Sequence, residues 1–368
     1  MKIKLYLNIY LRNLILFHHN YSTILFELNT KNTKTLPQNE RSNVSEASPY
    51  NIVKEDINKV NKFIIRKLQS DVPLIPIISE HLLKSGGKRI RPTLTILFSK
   101  LFGYHFGSRH IELAACVELI HMASILHDDV VDESKLRRGK TTANNLWGNK
   151  SSILVGDYLF SKSFQIMTRD DDSAVMKTIA DASQLLAKGE VMQLSLTNNL
   201  DTTKEKYFRV IEGKTSGLFS AASLLGGIIT TQKQEILRKL NLFGKYLGIA
   251  FQILDDVLDY DVTSNNFGKK FGDDFKEGKV TLPVLIAYDK SNNKEKVFWK
   301  KVIEDLNQDQ EDFKKALDII FKYNSLDEAK SYSEAYASQA NEILNTLPKN
   351  KYSDSLAEIC KFVFKRRN

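Results

Sequence analysis

The sequence predicts an all-α fold, a single large domain of roughly ten or more helices from residue 50 to the end. Three observations predict it. Apolar residues recur at spacings of three and four through nearly all of that span, the pattern of helices with one buried face. No run alternates apolar and polar residues as a half-buried strand would, and no short-period repeat occurs. Only 7 prolines fall in 368 residues, which leaves long elements uninterrupted.

Residues 1–49 stand apart from this pattern as a targeting or disordered extension. The first 26 residues hold Lys2, Lys4 and Arg12 and no acid before Glu27. The apolar stretch Leu5–Phe17 is broken by Asn8, Arg12 and Asn13, so it is too short and too polar to span a bilayer. Scattered bases without acids fit a mitochondrial presequence, although Arg and Ser are sparse for one. The plainer reading is a disordered tail on a cytoplasmic protein. Asn29–Ser48, rich in Asn, Thr, Ser and charge, reads as a linker.

From Tyr50 onward the helices follow in order. Ile52–Leu68 and Leu74–Lys84 are amphipathic, with Pro73 placed to start the second. Pro92–Phe102 and Glu112–Val131 are more apolar and belong in the core. Ser151–Met167, Ser173–Leu196, Thr203–Thr230 and Lys233–Tyr260 follow, then a Gly- and Lys-rich loop, Leu282–Tyr288 and amphipathic segments to Phe364.

Composition narrows the function classes. Apolar content of 42% with 26% charge is typical of globular proteins. The net charge of +9 suits an anionic ligand or a membrane surface, and no nucleic-acid partner is expected. Two cysteines, Cys116 and Cys360, imply no disulfide framework and a reducing compartment.

The chemistry concentrates in two acidic clusters, Asp128-Asp129-Val130-Val131-Asp132 and Asp255-Asp256-Val257-Leu258-Asp259. A spacing of four leaves Asp128 and Asp132 about 40° apart on one helix face, where like charges repel. Two such DDxxD clusters on long helices suggest hard-cation sites facing one cavity. Oxygen donors without Cys or His favour Mg²⁺ over Zn²⁺. His121, seven residues before Asp128, returns to within about 20° of the same face. Alone it would read as a core histidine; beside the acidic cluster it reads as a ligand-binding one.

Basic stretches flank these clusters. Lys84-Ser85-Gly86-Gly87-Lys88-Arg89-Ile90-Arg91-Pro92 is a glycine-hinged loop that can bring forked and point-charge donors to phosphate oxygens. It lacks P-loop spacing and by itself reads as a solvated turn. Arg137-Arg138-Gly139-Lys140 lies close enough to the first cluster to reach anions held there. Lys214-Thr215 sits in an apolar helix, where a lysine needs a partner. Gln252 precedes Asp255 by three residues, and Lys269, Lys270, Asp273, Asp274, Lys279 and Thr281 populate a glycine-containing loop suited to a lid.

Together these stretches resemble the trans-isoprenyl diphosphate synthase family over about residues 50–368. GGKRIRP, ELIHMASILHDDVVDESKLRRGKTTANNLWG, GKT, FQILDDVLDY and GKKFGDDFKEGKVTLP stand in that family's order and spacing. The resemblance implies a helical bundle of the isoprenoid synthase type with a central cavity. It implies Mg²⁺, three ions per active site, and isopentenyl diphosphate and an allylic diphosphate as substrates. By position, Lys88, Arg91 and His121 match the binders of isopentenyl diphosphate, with Arg138 assisting. Asp128 and Asp132 match the first metal pair and Arg137 a contact to the allylic diphosphate. Lys214, Thr215 and Gln252 match holders of the allylic substrate or its leaving group. Asp255 matches a further metal ligand supported by Asp259, and Lys269 and Lys279 match lysines near the diphosphates. The middle residues Asp129 and Asp256 point off the shared face.

The expected reaction is repeated prenyl transfer to a long-chain all-trans product of the kind attached to ubiquinone, primed by farnesyl or geranylgeranyl diphosphate. Short-chain relatives resembling farnesyl synthases place aromatic rings at the positions that Ala123 and Ser124 occupy here. With small residues there, the growing tail is expected to pass towards Ile120, Val117 and Cys116. Competing readings are a geranylgeranyl or farnesyl synthase and a non-catalytic subunit of a heteromeric synthase; the two intact aspartate clusters oppose the latter. The resemblance implies a homodimer or a heteromer, and a lipid-tailed product suits peripheral membrane association. On this reading Ala123→Phe shortens the product, which chromatography of the chain lengths tests.

Overall fold

The computed structural model of the chain describes residues 50–230, 233–262 and 271–365, the side chains of 363–365 excepted. Within them the all-α expectation holds. Helices α1 (Lys54–Lys67), α2 (Leu74–Lys84) and α3 (Ile90–Leu101) lead into α4 (Arg109–Val131). Every residue from Leu113 to Ile120 of α4 is buried, so this stretch has no solvent face and serves as the axis of the bundle. It packs most extensively on α6 (Asn149–Met167) and is enclosed further by α1, α3 and α9 (Gly217–Ile228).

Two features depart from a purely helical reading. Leu136–Arg137 and Lys140–Thr141 form a two-stranded antiparallel ladder, pairing Leu136 with Thr141 and Arg137 with Lys140. Strands this short carry no periodicity to detect. Their turn residues, Arg138 and Gly139, both have positive φ (52° and 75°), the geometry that matches the twist of a two-residue hairpin. A short α5 (Ala143–Trp147) follows.

The second departure lies within Thr203–Thr230, expected as one helix. It is α8 (Lys204–Ile211), a π-helical turn over Glu212–Ser216, and then α9. Propensity does not distinguish a π turn from the α-helix around it; tertiary contact imposes it. The contact is with α7 (Ser173–Leu196), at a crossing of Gly189 over Gly213. A Cβ on Gly213 would lie 2.8 Å from the Gly189 Cα and 3.0 Å from the Leu185 carbonyl oxygen. The bare backbones therefore let the turn seat against α7 with Lys214 facing inward.

The 27-residue α10 (Gln234–Tyr260) is amphipathic and packs on α9 and on α15 (Ser325–Asn345). Short α11 (Asp273–Lys276) leads to α12 (Leu282–Lys290), α13 (Asn293–Trp299) and α14 (Asp312–Lys322); α16 (Lys351–Lys365) follows α15. One apolar cluster surrounds α4. A second, containing Val257, Tyr260, Phe275 and Trp299, lies under the C-terminal end of α10. Among the described residues no helix is long and apolar enough to cross a membrane. Because the atoms facing Gly213 are backbone, Gly213→Ala should destabilise the fold by about 1–3 kcal/mol, measured by denaturant unfolding.

Candidate active site

A cavity of about 860 Å³ opens between α4, α7, the π turn and α10. The α2–α3 loop, the hairpin and Lys279 close its sides. It is lined by Lys88, Arg91, His121, Ser124, Asp128, Asp132, Arg137, Arg138, Lys214, Thr215, Gln252, Asp255, Asp259 and Lys279. These are the expected site residues, drawn from stretches up to 191 positions apart, with two exceptions. Lys269 lies outside the described residues, and Ala123 does not line the cavity.

On the acidic wall, each carboxylate of the first pair meets an ammonium from another element. The Lys214 Nζ is 3.7 Å from Asp128 and 2.8 Å from Glu190 of α7. Lys279 Nζ is 3.1 Å from Asp132 and 2.5 Å from Glu277. Burial pulls both lysine pKa values down, but the facing carboxylates outweigh it and hold them above the ordinary value. Glu190 moves the other way: burial, reinforced by the charge of Asp128, pushes it up to about 7 against the pull of Lys214.

The middle aspartates turn away from the cavity and hold neighbouring groups. Asp129, 2% exposed, accepts from Nε of Arg137 at 2.8 Å, and Nη2 lies at the same distance. It thereby fixes a guanidinium that faces the cavity. Asp256, buried on α10, accepts from the Tyr207 hydroxyl at 2.6 Å and from Nε2 of Gln252 at 2.7 Å. Burial raises its pKa to about 7 even with those two donors opposing the shift. Asp259 lines the cavity and also accepts the Asp274 N–H at 3.0 Å, while its carbonyl accepts the Gly272 N–H at 2.9 Å. It ties the segment bearing Lys279 to the end of α10.

The basic wall is built on the α2–α3 loop. Arg89, at φ 49°, pairs with buried Glu118 of α4 and donates to the Leu83 carbonyl at 3.1 Å. Arg138 donates to the Gly86 carbonyl, and a Cβ on Gly87 would strike its guanidinium at 2.7 Å. Gly87 itself, at φ 146°, holds a backbone conformation that suits glycine. Arg91 stacks its guanidinium 4.7 Å from the Phe219 ring centre, and burial pushes its pKa down to about 10. Burial, then Arg91, Arg137, Arg138 and Arg89, hold His121 well below its ordinary pKa, so the ring is neutral at pH 7. Between the walls the floor is apolar, with Met122, Ile125, Leu186, Phe219 and Phe251.

Sequence reading missed Glu118, Glu190 and Tyr207, and it offered Arg89 as a phosphate donor of the loop where the structure pairs it with Glu118. Glu118 carried a usable signal, since an acid amid eight consecutive buried positions needs a partner. Tyr207 carried none. The product-length pair is divided. Ser124 lines the cavity, donating its hydroxyl to the His121 carbonyl at 2.9 Å, whereas Ala123 is fully buried in the core. Adjacent helical residues point about 100° apart, and here Ser124 falls on the cavity side of α4 while Ala123 falls on its packed side. Ile120, Val117 and Cys116 are likewise packed in the core at 0–1% exposure, and no tail path opens along them. Ala123→Phe would overpack that core, and Ser124 is the member of the pair that faces the cavity.

Among the described residues no three carboxylate, imidazole or thiolate groups converge into a closed metal cage. Paired carboxylates with open cavity between them fit a hard cation that completes its shell with water and phosphate oxygens, which is how Mg²⁺ binds.

Residues 72–320 match the model of the polyprenyl synthetase family. The chain belongs to that family. It is a prenyltransferase enzyme, a polyprenyl diphosphate synthase, and divalent metal ions belong to the family's chemistry. It is 40% identical to octaprenyl diphosphate synthase of Haemophilus influenzae over 306 residues, 83% of this chain and 92% of that one. Its fold is similar to the decaprenyl diphosphate synthase of Rhodobacter capsulatus, at TM-score 0.83 and 44% identity, over 87% of this chain and 98% of that one. A polyprenyl synthase of Caulobacter crescentus, solved with calcium and isoprenyl diphosphate, aligns at TM-score 0.83 and 39% identity over 87% and 97%.

The raised Glu190 predicts a pH signature of this synthase in metal-free solution. Between pH 4.5 and about 7 the folded state keeps a proton that the unfolded chain has lost. Stability therefore falls as pH rises through that window and is level above it. The melting temperature of E190Q relative to wild type should climb from pH 5 to pH 7.5 and then flatten. A pH-independent difference would contradict this.

Proposed function

We propose that this synthase extends farnesyl or geranylgeranyl diphosphate with successive isopentenyl diphosphates, giving a long-chain all-trans polyprenyl diphosphate for the ubiquinone side chain. One observation carries the reading: a single cavity has an acidic wall, a basic wall and an apolar floor between them. The likeness to octaprenyl and decaprenyl synthases and the small side chain of Ser124 support a long product.

On this reading Lys88, Arg91 and Arg138 bind isopentenyl diphosphate, with the neutral His121 donating one ring N–H to it. Asp128, Asp132 and Asp255 would hold Mg²⁺, supported by Asp259, three ions in all, and the metal supplies Lewis-acid neutralisation of the allylic diphosphate. Arg137, Lys214 and Lys279 stabilise the same group as its charge grows; the two lysines exchange aspartate for phosphate oxygen as the substrate arrives. Thr215 and Gln252 face the allylic carbon end. The C–O bond breaks with its electron pair leaving on diphosphate. The isopentenyl double bond then supplies the pair for the new C–C bond, and a proton passes to a diphosphate oxygen. Lys269 is proposed to reach the diphosphates from the loop after α10.

Exposed Leu154 of α6 and Leu194 of α7, with Val191, support assembly with a second copy or a related subunit. The basic, acid-free first 26 residues support mitochondrial import, and the lipid product supports peripheral contact with a membrane. The decisive assay is purified protein with Mg²⁺, farnesyl diphosphate and labelled isopentenyl diphosphate. Asp128→Asn and Asp255→Asn should each lower kcat at least about 100-fold, as loss of electrostatic stabilisation does. Chelation of the metal should stop the reaction. Ser124→Phe should shorten the product, read by chromatography; an unchanged chain-length distribution would remove Ser124 as the gauge.

A further inference from the structure

Three short hydrogen bonds run from the interior to the cavity. The Tyr207 hydroxyl of α8 donates to Oδ2 of Asp256 at 2.6 Å, and Nε2 of Gln252 donates to Oδ1 of Asp256 at 2.7 Å. The Thr215 hydroxyl, on the π turn, donates to Oε1 of Gln252 at 2.6 Å. Tyr207 and Asp256 are buried and border a smaller adjoining pocket, not the main cavity, whereas Thr215 and Gln252 line both.

Both oxygens of Asp256 accept, Oδ2 from Tyr207 and Oδ1 from Gln252, so the Gln252 amide faces it with its NH₂ inward. The amide oxygen then points at Thr215, and the threonine proton is committed to it. Thr215 is left presenting oxygen lone pairs, not a proton, to the cavity. Asp256 would hold this arrangement weakly with one donor; the Tyr207 phenol is the second. We propose that Tyr207 is a positioning residue for prenyl transfer, acting through Asp256 and Gln252 to set the polarity that Thr215 shows the reacting carbon. A lone pair aimed at a centre that becomes electron-poor matters little to the bound ground state and more as the C–O bond breaks. The effect therefore falls on kcat. This inference rests on the prenyl-transfer reading above.

Two variants change the chain of bonds without changing its shape. Tyr207→Phe removes one donor and keeps the ring. Asp256→Asn replaces an acceptor by an amide that can donate to Gln252. The Gln252 amide then rotates, donates to Thr215, and turns the threonine proton into the cavity. Expected are kcat losses of about 10-fold for Y207F and about 100-fold for D256N, with KM for either substrate within about threefold. The side-chain ¹⁵N–H signals of Gln252 in metal- and substrate-free protein should shift in both variants, a readout independent of turnover. Should Y207F not fold, D256N and the Gln252 signals carry the test alone. A kcat within twofold of wild type in the folded variants, or losses shared equally by KM, would overturn the proposal. Wild-type protein that transfers no prenyl group would instead overturn the reading of the activity, leaving the Gln252 signals to report on the bonds themselves.

Discussion

The structure turns on how two carboxylates survive on one face of a buried helix. Asp128 and Asp132 repel each other at the C-terminal end of α4, where the helix dipole adds further negative potential. The answer in the free protein is a pair of ammonium groups from distant elements, Lys214 from the π turn and Lys279 from the segment after α10. They bridge walls that no local contact joins. In the proposed reaction these lysines would grip a diphosphate. The paired carboxylates are thus neutralised internally in the free protein.

The rest of the architecture places those two lysines and their counterparts. The Gly189–Gly213 crossing seats the π turn against α7, which puts Lys214 on the cavity wall beside Glu190. Asp259 holds the backbone of the loop leading to Lys279. On the opposite wall, the Arg89–Glu118 pair anchors the glycine loop to α4, and Arg138 lies against that loop through the Gly86 carbonyl. Functional side chains are supported by buried partners that do not themselves enter the cavity, Asp129 behind Arg137 and Asp256 behind Gln252. Such support restricts rotamers, so less ordering is left for substrate binding to accomplish.

Much of this was legible before any coordinates. Asp128–Asp132, His121 and the GGKRIRP loop announced a cavity for anions and hard cations, because spacing on a helix dictates which side chains share a face. Helix limits such as Leu74–Lys84 and Ser173–Leu196 came directly from apolar periodicity. Where periodicity is silent the reading stopped. The Leu136–Thr141 hairpin is too short to show alternation, and the π turn looks helical residue by residue. Ala123 and Ser124 were alike in size, and only the packing of α4 separated a core position from a cavity one.

The sequence by itself determined the helical fold, the family and the residue types of the site, because helix periodicity and ordered motifs are local properties of the chain. Tertiary structure alone decided the pairings: Lys279 with Asp132, Arg89 with Glu118, Tyr207 with Asp256. Each joins residues 29 to 147 positions apart, and their meeting depends on how helices pack rather than on any neighbour in sequence.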